Sequence, residues 1–112
     1  MKWIIVAAFA LASCNNSGPG ADGYRFGEAE YRRPTVQLSI VEHRSLSELQ
    51  GAASAAGADV SEGRSLRAFG VISGDRASCT IHVVAPALDY QPEWLGHEVA
   101  HCLYGRWHKA GR

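Results

Sequence analysis

The chain has 112 residues, room for one compact domain and not two. Its eleven Lys and Arg residues balance eleven Asp and Glu, so no net positive field points to nucleic acid, and no nucleic-acid partner is expected. At 46% hydrophobic and 20% charged, the composition is that of an ordinary globular protein.

At the N-terminus, Lys2 precedes an apolar run from Ile4 to Ala12. That run is shorter than the roughly 20 residues a membrane-spanning helix needs, and fits the apolar core of an export signal. It stops at Leu11-Ala12-Ser13-Cys14, which resembles the bacterial lipobox. The resemblance implies that residues 1–13 are a signal peptide and that Cys14 becomes the acylated, palmitate-bearing N-terminus. It also implies a place in the cell envelope, lipid-anchored in a membrane and facing the periplasm. Asn15-Asn16, with no aspartate following the cysteine, leans towards the outer membrane. Residues 14–33 read as a flexible tether, because Gly18, Pro19, Gly20 and Gly23 interrupt a stretch with nothing to bury. Tyr24, Phe26 and Tyr31 are the first side chains able to touch a domain, and Arg32-Arg33 is a solvated pair.

The domain is expected over residues 34–112. Val36, Leu38, Ile40 and Val41 predict a strand within Thr35 to Val41. Ser45-Leu46-Ser47-Glu48 has capping-box spacing and opens an alanine-rich helix that Gly57 would stop. Leu66 to Ile72 and Cys79 to Ala85 predict two strands joined by the polar turn Ser73-Gly74-Asp75-Arg76, a β-hairpin. Pro92 suits the first turn of a last helix and Gly105 its end. The order β-α-β-β-α predicts an α+β domain with one small mixed sheet and two helices.

The last helix holds the chemistry. His97 and His101 stand four residues apart, so both imidazoles project from one helical face and can share one tetrahedral zinc ion. Glu98 lies about 100° further round, beside the metal rather than on it. Leu95, Val99, Cys102 and Leu103 cluster at roughly 140° to 240° from His97, forming the face that buries on the sheet. A catalytic zinc commonly takes three protein ligands and leaves one position open. His108 follows Gly105, where the chain can turn back.

His97-Glu98-Val99-Ala100-His101, followed by Gly105 and His108, resembles the zincin metallopeptidases, most of all those in which a glycine turn brings in a third histidine. The resemblance covers about twelve residues. It differs from the metzincin pattern by one extra residue before the glycine and by the absence of a following methionine, Met1 being the only one. A minimal zincin-like domain is implied, with a metal-binding helix, His97, His101 and His108 on Zn2+, and Glu98 as general base. Its substrate would be protein or peptide, including cell-wall peptide, aligned along an edge strand, which by position is Cys79 to Ala85. Tyr104, Tyr90, His82 and Arg106 are candidates to stabilise the transition state.

Cys79 and Cys102 are the pair left in an oxidising compartment, and the sheet-facing angle of Cys102 favours a disulfide between them. His43 and His82 read as ordinary polar residues, while Trp94 and Trp107 flank the histidine face. The competing reading is a non-enzymatic lipoprotein in which zinc staples a small partner-binding domain.

Overall fold

Five elements follow one another in the order strand, helix, strand, strand, helix: β1 (Gln37–His43), α1 (Leu46–Ala55), β2 (Ala68–Ile72), β3 (Ser78–Val84) and α2 (Pro92–Tyr104). The computed structural model describes residues 18–58 and 66–108. The signal segment 1–13 and Cys14 lie outside the described residues.

Each local signal has a physical counterpart. Ser45 caps α1, its hydroxyl accepting the Glu48 N–H at 3.1 Å. The Glu48 carboxylate does not complete the reciprocal half of the box; it faces His43 Nδ1 at 3.5 Å. Gly57 has a φ of 76°, the left-handed conformation that ends helices. In the hairpin turn the Asp75 carboxylate accepts from the Ser73 hydroxyl and the Ala77 N–H. These bonds hold the Asp75 carboxyl below its ordinary range.

The sheet is mixed, with strand order β1-β3-β2. β1 runs parallel to β3, Ile40 opposite Ile81, and β2 runs antiparallel to β3, Gly70 opposite Ile81. The expectation that Cys79 to Ala85 forms the edge of the cleft is therefore corrected. That strand is central, because β1 pairs parallel to it on the side away from β2. Among the described residues, the strand with a free edge beside α2 is β2.

Alternation along the strands separates two faces. Ala68, Cys79, Ile81 and Val83 pack with Cys102 beneath α2, together with Leu95 and Val99. Phe69 and Val84 point the other way and pack with Leu49 and Ala53 of α1. A helix thus covers each face of a three-stranded sheet. Both cores are small, and a disulfide between Cys79 and Cys102 (Cα–Cα 5.9 Å) ties the central strand to α2.

The chain joins the domain well before Pro34. The N–H groups of Glu30 and Arg33 donate to the carbonyls of Tyr104 (2.9 Å) and Leu103 (2.8 Å). The Gly27 N–H donates to the Trp107 carbonyl at 2.7 Å. The last carbonyls of a helix have no partner within the helix, and this strand-like strap supplies them. The part of the expected tether from Asp22 onward is therefore a strap laid across the end of α2.

Removing the disulfide should cost stability at the α2–sheet junction. A Cys79→Ala/Cys102→Ala double variant should lose about 2–4 kcal/mol in urea unfolding, the range for a closed loop of this size.

Candidate metal centre

Three histidines converge on one point. The first turns of α2 carry His97, which is 8% exposed, and His101 follows one helical turn later. The helix ends at Gly105, whose φ of 72° lets the chain reverse and bring His108 back. Only glycine fits there for a second reason. A Cβ would stand 2.6 Å from Tyr31 Cε1 and 2.9 Å from Glu30 Cβ of the strap. The extra residue before the glycine extends α2 through Tyr104 and still leaves His108 within reach.

The facing atoms are all Nε2. His101 Nε2 lies 3.1 Å from His97 Nε2 and 3.0 Å from His108 Nε2. The ligand atoms of the three residues lie within 4.8 Å of one another. Three nitrogens on one tetrahedral zinc stand about 3.3 Å apart, given bonds of about 2.0–2.1 Å.

The outer nitrogens fix the ring orientations. His101 Nδ1 donates to the Gly105 carbonyl at 2.6 Å. His97 Nδ1 meets Asp22 Oδ2, also at 2.6 Å, and Asp22 is in turn held by the Tyr24 N–H at 3.0 Å. A carbonyl only accepts, so the His101 proton sits on Nδ1 and its Nε2 presents a lone pair. Burial pushes the His101 ring down to about 4, keeping it neutral near pH 7. That lone pair faces two other imidazole nitrogens at about 3 Å. A proton on a neighbour can fill one of those gaps, whereas a cation fills both. The donor set therefore fits a metal ion, with a carboxylate and a carbonyl behind two of the ligands.

Aromatic rings wall the site. Trp107 is buried and stacks on His101 at 4.8 Å between ring centres. Tyr24 lies against His97 at 4.5 Å and His108 at 4.8 Å. Trp94 lies 6.1 Å from His97 and lines the open side. Trp107 is thus packing beneath the rings, while Trp94 is a cleft wall.

Glu98 shares the cavity with the histidines, a space of about 1150 Å³ between β2, α2 and the strap. Its carboxylate lies against the backbone of β2, where a Cβ added to Gly70 would come within 3.3 Å of Oε2. Burial pushes its carboxyl up to about 7.

The transition-state candidates part company. Arg106 lines the cavity. Tyr104 packs edge-on against Phe26 and is not among the lining residues. Tyr90 is 75% exposed on another part of the surface. His82 lies on the α1 side, 2.9 Å from His43 and stacked on Phe69, so neither histidine approaches the centre.

Compared with family models, curated proteins and solved structures, the chain matches none. The His97–His101–His108 group stands on its own geometry.

Two measurements probe this geometry. Asp22→Ala should weaken metal affinity about 10–100-fold in competition with a chromophoric chelator, the usual effect of removing an outer partner of a ligating histidine. The second concerns Glu98, whose raised value means that folding favours its protonated form. That contribution is complete below its unfolded value of 4.5 and is lost as pH rises through about 7. His101 acts oppositely, contributing above 6.5 and losing its contribution as pH falls through about 4. Metal-free Glu98→Gln should therefore be more stable than wild type at pH 8 in urea unfolding, with the gap closing towards pH 4.

Proposed function

We propose that the protein is a zinc-dependent metallopeptidase of zincin-like type, carried to the cell envelope on a lipidated Cys14. The observation that carries this reading is the combination of three convergent Nε2 atoms with a carboxylate, Glu98, on the next residue and in the same cavity. A staple needs the three histidines. It has no use for an acid beside them in an open cleft.

Zinc is favoured over harder cations by the all-imidazole donor set. When bound, the ion would supply a Lewis acid that acidifies water and polarises a carbonyl. His97, His101 and His108 would hold it, oriented by Asp22 and the Gly105 carbonyl. Glu98 would take a proton from the attacking water and deliver it to the leaving amine. Burial raises the Glu98 carboxyl in the metal-free protein, and a cation bound beside it would draw it back towards the carboxylate that accepts the proton. The free edge of β2 can pair with an extended peptide by main-chain hydrogen bonds, and Gly70 leaves the approach to Glu98 open. Arg106 is the cavity-lining member of the transition-state candidates.

The staple reading retains one favourable observation: the centre joins three separate pieces of chain, the strap through Asp22, α2, and the segment carrying His108. Glu98→Gln distinguishes the two readings. Peptidase activity should fall about 10²–10⁴-fold with zinc content unchanged, as expected for loss of a general base. Zinc bound in both proteins with no peptide cleaved by either would favour the staple.

A further inference from the structure

The cleft carries a charge pattern that the metal centre does not use. Trp94 and Leu95 lie with Val83 at one end of β3, and Cys102 is bonded to Cys79 at the other. α2 therefore runs against β3 and in the same sense as β2. Gly70 and Glu98 mark the middle of the channel between them. Arg67 stands at the start of β2 beside the Trp94 wall, three residues before Gly70, or about 10 Å along an extended strand. Arg106 lies at the opposite end, after Gly105, where Arg76 also lines the cavity.

The acidic side chains of the cavity have other work. Asp22 is bonded to His97 Nδ1, and Glu30 lies 4.0 Å from Arg76, whose guanidinium sits over the Tyr31 ring at 4.2 Å. Glu98 occupies the centre of the channel. Arg67 and Arg106 have no carboxylate partner among the described residues. A solvated surface arginine needs none; Arg67 is half-buried and Arg106 exposed at the rim, and both line a concavity whose walls concentrate their field on whatever enters.

We propose that the cleft selects acidic peptides, with Arg67 and Arg106 each taking a carboxylate of a chain laid along β2, on either side of the metal centre. The proposal rests on the peptide-binding reading of the cleft given above. The carboxylates can be Asp or Glu side chains, or at one end the peptide's own C-terminus; a guanidinium fork grips either.

The test measures binding and cleavage separately. Fluorescent peptides with Glu flanking an apolar centre, their Gln isosteres, and C-terminally amidated forms of each are titrated into zinc-loaded Glu98→Gln protein. The Glu peptide should bind tighter than the Gln peptide by about tenfold for each charge-assisted contact, about a hundredfold if both arginines take side chains and about tenfold if one takes the C-terminus. That ratio should shrink as salt is raised. In an Arg67→Gln/Arg106→Gln background it should collapse towards one, and Arg67→Lys/Arg106→Lys should retain most of it. Amidation that weakens the Glu and Gln peptides alike would assign one carboxylate to the C-terminus, and amidation without effect would assign both to side chains. Equal affinity for Glu and Gln peptides, free and amidated alike, overturns the proposal. If wild type cleaves both peptides equally well, peptidase activity stands and acidic selection fails. A preserved affinity ratio without cleavage supports acidic selection and counts against peptidase activity, and no binding of any peptide overturns both.

Discussion

His101 Nε2 stands about 3 Å from the Nε2 atoms of both His97 and His108 at the end of α2, and the outer nitrogens of two of the three rings are already committed. Because the Gly105 carbonyl can only accept, His101 turns a lone pair inward. Because Asp22 holds His97 from behind, the His97 ring cannot swing away without leaving a carboxylate unpaired in a partly buried position. A proton on one neighbour can meet the His101 lone pair across one of these gaps but leaves the other unfilled. A shared cation would fill both gaps, and the rest of the architecture frames that point.

The frame is economical for a chain this small. Each of the two cores is small, and in small domains cross-links add to what burial supplies. Here the disulfide binds the central strand to α2 at Cys102, next to His101. The strap from Gly27 to Arg33 satisfies the carbonyls at the end of the same helix and closes over Gly105. Trp107 stacks beneath His101 and Phe26 stacks on Trp107, so the segment carrying His108 is clamped between strap and helix. Each device acts on the last two turns of α2. The first face of the sheet buries the helix, while the opposite side of the helix is left to the cavity and to Glu98.

Much of this is legible in the residues. The four-residue spacing of His97 and His101 fixes a shared face on any helix, and the same periodicity turns Cys102 towards the sheet and so towards Cys79. The α+β order, the hairpin around Ser73 to Arg76, the cap at Ser45 and the stop at Gly57 are local chemistry, readable over four or five residues. Strand order is not local. Nothing in the alternation of Cys79 to Ala85 tells whether β1 will pair beside it, so the central strand reads as an edge, and β2, the strand at the cleft, does not stand out. Asp22 escapes the sequence for a related reason. It lies 75 residues from His97 within a run of glycines, and its only local signal is an aspartate positioned to accept the N–H of Tyr24. The strap itself is held by main-chain hydrogen bonds, which leave no mark on side-chain pattern, so a Gly- and Arg-rich stretch reads as tether. Cys14 and the segment before it lie outside the described residues, and the lipid anchor rests on the sequence.

X-ray absorption at the zinc edge of protein loaded with one equivalent of zinc, at neutral pH, addresses the centre most directly. A His97–His101–His108 site requires a four-coordinate first shell of nitrogen and oxygen at about 2.0–2.1 Å, with the outer-shell scattering of three imidazoles. Sulfur at about 2.3 Å, a six-oxygen shell, or zinc that does not stay bound through dialysis would contradict it.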